Sequence, residues 1–189
     1  MNSKLLGTLT QIKHQFEPAN IDWAIGGSLL LKAHQLVEKV NDIDLIIARK
    51  DIKQADQILS ELGQKLPTKP AQKPFRSKAF HQYQVHDIGV DLMADFTIEH
   101  EEGLFIYPFP DQSNLEHRLI DGTSYPCCPL EDWYVLYQLL NREATVKIIE
   151  MHFKRQGPFN PCQLQSFVSK PLPQSIKHNI QNLLEFTNT

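Results

Sequence analysis

Between Val40 and Ala48 the chain runs through Ile43, Leu45, Ile46 and Ile47. So short and apolar a run suits a central strand of a sheet and not a solvent-facing edge. Two acids, Asp42 and Asp44, lie inside it. Strand residues two apart share a face, so these carboxylates project side by side while Ile43 and Leu45 enter the core. Two carboxylates so placed repel each other, and in water-poor surroundings one takes up a proton. A single segment therefore specifies both a buried strand and an electrostatic conflict.

Upstream stands Gly26-Gly27-Ser28, with thirteen residues between Ser28 and Asp42. Gly26 and Gly27 let backbone approach a ligand without Cβ interference and supply a positive φ where one is needed. Ser28 is placed to start a helix, where free backbone N–H groups and the dipole favour an anion such as a triphosphate. Downstream, Gly89-Val90-Asp91-Leu92-Met93 offers a third acid in a second apolar strand. If that strand lies beside the first, at the ~4.8 Å strand spacing, all three acids converge. Asp87 and Asp95 compete with Asp91 for this place. Asp87 lies before Gly89, where a turn is expected, and Asp95 shares the parity of Asp91 but lies nearer the strand's end. A divalent cation resolves the conflict among such acids, since Mg²⁺ takes one or two carboxylates together with waters and substrate phosphates. The arrangement suits in-line phosphoryl or nucleotidyl transfer.

The remaining elements follow from periodicity and breakers. Leu5, Leu6, Leu9, Ile12 and Phe16 predict an amphipathic helix over 3–16, broken by Pro18 and Asn20. Ile21 to Ile25 reads as a short strand, and Leu29 to Val37 as a largely buried helix. Asp51 is placed to cap a third helix through Leu62, with Gly63 ending it. Gln64 to Lys78, with Lys65, Lys69, Lys73, Arg76, Lys78 and three prolines, reads as a loop. Phe80 to Val85 and Ile88 to Phe96 read as strands. Leu115 to Ile120 and Thr123 to Cys127 flank Asp121-Gly122, a hairpin signal. After Pro129 the pattern turns helical: Leu130–Leu140, Thr145–Phe153, Gln163–Val168 and Ile176–Phe186. The expected organisation is a mixed α/β unit over 1–128 and a helical region over 129–189.

Composition bounds what such a chain can do. With 189 residues, 41% hydrophobic and 22% charged, it is expected to be one globular domain, or a domain with an appendage. A net charge of −3 gives no strong nucleic-acid signal, though it leaves room for a local basic strip. Cys127, Cys128 and Cys162 form neither a disulfide framework nor a zinc spacing, which points to structural roles in a reducing compartment. Met1 to Ile12 lacks a long apolar stretch, and no segment approaches the ~18 apolar residues of a membrane span. A cytoplasmic location without membrane partners is expected.

The run from Gly27-Ser28 through Asp42-Ile43-Asp44, with the strand acid Asp91, resembles the nucleotidyltransferase superfamily related to DNA polymerase beta. The small size resembles its minimal branch, which includes antibiotic nucleotidyltransferases and the nucleotidyltransferase halves of toxin–antitoxin pairs. Pro129-Leu130-Glu131-Asp132 through Leu140-Asn141-Arg142 resembles the start of that branch's helical region, but Glu143-Ala144 stands where many relatives carry Lys-Asp. The resemblance implies an α/β (α+β) fold, with a mixed sheet flanked by helices and a small C-terminal helical unit. It implies an enzyme moving a nucleoside monophosphate from a triphosphate such as ATP to an acceptor hydroxyl on a small molecule, protein or RNA end, with release of pyrophosphate. Gly26, Gly27 and Ser28 would then hold the nucleotide. Asp42, Asp44 and Asp91 would be the catalytic acids and the ligands of Mg²⁺ or Mn²⁺. The other reading is a nucleotide- or partner-binding regulatory module on the same fold, such as an antitoxin with a partner protein.

Other features have plainer readings. His81 and His86-Asp87 invite comparison with metal-dependent phosphohydrolases, but those sites use helices and this segment reads as strand. The Lys65–Lys78 run is a solvated loop, or a flap whose charges meet a polyanion. Trp133, Tyr134 and Tyr137 are core residues, or a base-stacking platform.

Overall fold

The computed structural model describes residues 3–68 and 72–187. Lys69 and Pro70 of the Lys/Pro segment lie outside the described residues. A seven-stranded sheet has the order β3-β4-β5-β2-β1-β9-β8. Its strands are β1 (Trp23–Ile25), β2 (Asp42–Ile47), β3 (Gln64–Lys65), β4 (Ala79–Val85), β5 (Ile88–Ala94), β8 (Glu116–Ile120) and β9 (Thr123–Cys127). The sheet is mixed: β2 and β5 run parallel, as do β1 and β9, while the other neighbouring pairs are antiparallel. Helix α1 (Ser3–Phe16) buries Leu5, Leu9, Ile12 and Phe16, the stripe its periodicity predicts. It packs on β2, β5 and α3 (Ile52–Leu62). Helix α2 (Gly27–Ala33) packs instead on β2, β8 and α4 (Leu130–Leu139).

β2 lies between β1 and β5, and Ile43, Leu45, Ile46 and Ile47 are all fully buried. This is the central strand that its apolar run predicts. The hairpin at Asp121-Gly122 also forms, both residues having positive φ (51° and 81°), as a two-residue turn of the favoured twist requires.

Several local expectations are corrected. The second helix ends at Ala33, short of Val37, and the first strand starts at Trp23. Asp51 precedes α3 but makes no side-chain cap, because its carboxylate accepts the Asp22 N–H at 3.0 Å. Gly63 ends α3 in an extended conformation, φ −163°, and not in a left-handed turn. A further hairpin, β6 (Phe96–His100) with β7 (Gly103–Tyr107), forms its own two-stranded sheet and has no counterpart in the sequence reading. Within the Lys/Pro segment, Lys65 pairs with Asp56, while Lys73 and Arg76 both pair with Glu99.

The C-terminal helices are α4, α5 (Glu143–Gln156), α6 (Pro161–Ser166) and α7 (Gln174–Thr187). Ile149, Leu164, Leu172 and Ile180 join the same buried apolar cluster as the sheet residues. Among the described residues, no helix is long and apolar enough to cross a membrane.

Candidate active site

At the end of β1 the chain turns through Gly26 and Gly27 into α2. The Gly26 N–H donates to the Asp44 carbonyl at 2.9 Å, and the Gly26 carbonyl accepts the Leu30 N–H at 3.1 Å. The turn is thereby stitched to β2 at the position of an acid. Gly27 has φ +57°, and a Cβ there would fall 1.8 Å from Asp44 Oδ2. A Cβ at Gly26 would meet the Trp133 ring at 2.1 Å. Each glycine is thus required by a different neighbour, one by a carboxylate and one by an aromatic of α4.

Ser28 follows in the first turn of α2. Its hydroxyl donates to Asp42 Oδ1 at 3.5 Å, and its backbone N–H donates to the Asp44 carboxylate. The parallel pairing of β2 with β5 sets Asp44 opposite Asp91, and Asp42 opposite Gly89. Strand neighbours in parallel register present their side chains to the same face. All six residues singled out in the sequence are therefore brought to one place, and the three acids are partly buried there. Asp91 Oδ1 also accepts a hydrogen bond from Gln82 Nε2 at 3.1 Å, across the β4–β5 pairing.

The electrostatics carry the mark of crowding. Burial, then the charge of Asp42, then that of Asp91 push the Asp44 carboxyl up to about 8, with the Ser28 N–H pulling the other way. Tyr137, on the last turn of α4, has its hydroxyl pKa raised by burial and then by Asp44, with Arg142 opposing and Asp42 adding. The end of α4 therefore faces the acids, and Arg142 stands within electrostatic reach of the same group. Beyond it, Gln138, Asn141, Arg142, Glu143, Lys147 and Asn179 help line a cavity of about 310 Å³.

The competing acids lie elsewhere. Asp87 sits in the β4–β5 turn with φ 65° and pairs with Lys4 at 2.9 Å. Asp95 falls beyond the end of β5, with φ 48°, and pairs with Arg49. His81 lies on β4, and His86 is exposed in the turn. Trp133 and Tyr134 are buried, and Trp133 lies beside Tyr137 with ring centroids 5.4 Å apart. Trp133 nonetheless shapes the site, as the surface against which Gly26 closes.

Among the described residues, no three His, Cys, Asp or Glu side chains form a ready-made metal cage. The three acids make an open, all-oxygen set whose mutual repulsion is felt at Asp44. That donor chemistry fits a hard divalent cation, which completes its shell with water and phosphate.

The sequence reading missed Gln82, the approach of Tyr137 and the Trp133–Gly26 contact. Each depends on which element lies beside which. A strand at 80–85 was legible, but the register that sets Gln82 against Asp91 is fixed by the two-residue turn His86-Asp87, both at positive φ, which carries no Asn-Gly or Asp-Gly signal.

This sheet, with a glycine turn and acids on its central strands, is the fold of nucleotidyltransferases. It is shared with a Thermotoga maritima protein described as a nucleotidyltransferase (TM-score 0.63, 20% identity, 82% of this chain and 96% of that one). The antibiotic-resistance factor ANT(2″)-Ia in solution is also similar (TM-score 0.61, 13% identity, 96% and 94%). So is the lincosamide antibiotic adenylyltransferase LnuA with lincomycin bound (TM-score 0.51, 13% identity, 79% and 96%). Comparison with curated protein sequences gave no significant match. The family model for aminoglycoside-2″-adenylyltransferase matches residues 8–152. The chain belongs to that family, and is a nucleotidyltransferase of the antibiotic type.

Proposed function

We propose that the protein transfers a nucleoside monophosphate from a nucleoside triphosphate to a hydroxyl of a small, cationic acceptor, in a reaction that depends on Mg²⁺ or Mn²⁺ and releases pyrophosphate. The observation that carries this reading is the convergence of Asp42, Asp44 and Asp91 on adjacent strands beside the Gly26-Gly27-Ser28 turn. The family to which the chain belongs favours an aminoglycoside-like acceptor, and the acidic site suits a polycation.

In this reading Asp42, Asp44 and Asp91 hold the metal, which when bound neutralises phosphate charge and lowers the pKa of the attacking hydroxyl. Each residue then has a definable task. Gly27 has no side chain, so the triphosphate can approach the backbone closely beside Asp44. Ser28 orients Asp42 and Asp44 through its hydroxyl and N–H. Asp91, steadied by Gln82, is placed to accept the proton of the acceptor hydroxyl. The cavity beyond Arg142, with Glu143 at its lining, supplies a wall for the acceptor. The core over 1–128 would thus serve the donor, and the helices of 129–189 the acceptor.

The test is transfer of label from each α-labelled triphosphate, with Mg²⁺, to a panel of aminoglycosides and lincosamides and to a cell extract. We expect labelling of a small molecule, reduced at least ~100-fold in Asp42→Asn and Asp44→Asn variants that still fold. Labelling that is absent in the wild type, or identical in the variants, overturns the reading. Label that goes to a protein in the extract would instead favour the partner-directed alternative.

A further inference from the structure

A second cavity, of about 150 Å³, lies at the other ends of α2 and α4 and is lined by His34, Glu116, Arg118, Glu131, His152 and Phe159, among others. His34 stands six residues beyond Ser28, and Glu131 six before Tyr137. At ~1.5 Å per helical residue, this places the cavity roughly 9 Å along each helix from the acid site.

Three of the lining side chains are more than nine-tenths buried: His34 at 8% exposure, Glu116 at 5% and Glu131 at 0%. Yet both ring nitrogens of His34, Oε1 of Glu116 and Oε2 of Glu131 have no partner within hydrogen-bond distance, His34 Nε2 lying 3.6 Å from Glu116 Oε2. Leaving buried polar atoms unpaired is costly, and native proteins rarely leave several around one space. The other oxygens are satisfied: Glu116 Oε2 accepts from Arg118 Nε at 2.8 Å, and Glu131 Oε1 accepts the Asn160 N–H at 2.8 Å. The unmet capacity is therefore chiefly that of acceptors.

Charge narrows the occupant. Burial first, then Arg118 and His152, hold His34 down to about 3, and burial also lowers His152, so both imidazoles are neutral. Arg118 is paired with Glu116, so Glu131 has no cationic partner among the lining side chains. Burial pushes Glu131 up to about 7, and a cation beside it would relieve that cost. Among the described residues no three of these groups are disposed to hold a metal ion, so the acceptors surround a space rather than a point. The volume corresponds to about five waters at ~30 Å³ each, enough for a short aliphatic chain. Phe159, 73% exposed, adds an aromatic ring to the lining.

We propose that this cavity binds a small primary-amine monocation, whose ammonium hydrogens go to Glu131 Oε2, Glu116 Oε1 and the acceptor nitrogen of His34. The site is separate from the three acids and does not depend on the transfer reaction.

The test is titration of the full chain, ¹⁵N-labelled at histidine, with n-propylammonium chloride at constant ionic strength. Isosteric 1-propanol and propionate serve as neutral and anionic controls. We expect saturable shifts of the His34 and His152 ring signals, and a rise in melting temperature, with the amine alone. Glu131→Gln should weaken the apparent Kd roughly tenfold or more, and Phe159→Ala about two- to fivefold, the latter being an exposed change that spares the fold. No response, equal responses to amine and alcohol, or unchanged affinity in the folded variants overturns the proposal. So does saturation of the same two histidines by Zn²⁺ where the amine has no effect.

Discussion

Gly27 and Asp44 are fitted to each other at atomic contact: the glycine has φ +57°, and any Cβ would overlap the carboxylate. Gly27→Ala must therefore displace either the turn or the acid. A left-handed alanine alone costs roughly 1 kcal/mol, and strain of this kind reaches ~1–3 kcal/mol. We expect a lowered melting temperature and a loss of transfer of at least ~100-fold, measured by thermal denaturation and by the labelling assay. The same scale separates the three acids of the β5 region. Asp91 lies opposite Asp44 in the sheet, whereas Asp87 and Asp95 form ion pairs with Lys4 and Arg49. Exposed pairs of this kind contribute ~0–1 kcal/mol. Asp91→Asn is expected to remove at least ~100-fold of kcat, while Asp87→Asn and Asp95→Asn stay within about twofold of wild type. Equal losses in all three would remove the special standing of Asp91.

Helix α4 connects the site to the rest of the molecule. Its last turn brings Tyr137 toward the acids, its middle places Trp133 over Gly26, and its first turn buries Asp132. Asp132 accepts the Tyr107 hydroxyl of β7 at 2.7 Å and Gln163 Nε2 of α6 at 2.8 Å. Burial raises its carboxyl from 3.8 to about 6 in spite of both bonds. A raised folded pKa favours the protonated native state, so this contribution is fully present below about 3.8 and is lost as pH rises through about 6. Asp132→Asn keeps an acceptor for Gln163 and offers Tyr107 a donor, while removing the ionisation. Relative to wild type the variant should gain on the order of 2–3 kcal/mol between pH 4 and pH 8, read from denaturant unfolding at both values. The elements themselves were legible to different degrees. Ile43 to Ile47 specified a buried strand because four of its five residues are large and apolar, with Asp44 the one polar side chain among them, and Asp121-Gly122 specified a turn because both positions need positive φ. The acid pair was legible from strand parity, and its partner turn from the glycines. The β6–β7 hairpin was not, because Phe96 to Tyr107 offers no strong turn dipeptide beyond Glu102-Gly103. Nor was the role of Asp51, since the choice between capping α3 and accepting the Asp22 N–H is made by tertiary position.

At the scale of the whole chain, the Gly26-Gly27 turn closes on a helix that begins only after residue 129. Trp133 fills the space that Gly26 leaves, and Ile149, Leu164, Leu172 and Ile180 lie in the same apolar cluster as Trp23, Ile43 and Leu92. Residues joined in one buried cluster are expected to lose their packing together. The two tryptophans allow this to be measured, because Trp23 opens β1 in the sheet and Trp133 stands in the first of the C-terminal helices. Trp23→Phe and Trp133→Phe each leave a single reporter, one on each side of the change in element type. Urea unfolding followed by either fluorophore should give the same midpoint and slope. Ile180→Ala, a truncation at a fully buried site of α7, should lower stability by about 2–5 kcal/mol and move both midpoints equally. If the Trp133 signal alone shifts while the Trp23 signal stays in place, the helical region unfolds by itself. The site would then be completed by docking of two separable units, and turnover would depend on that docking. Coincident shifts would mean that the acids, the glycine turn and the helices of 129–189 are held by one cooperative core, with the spacing between them fixed by folding before any substrate arrives.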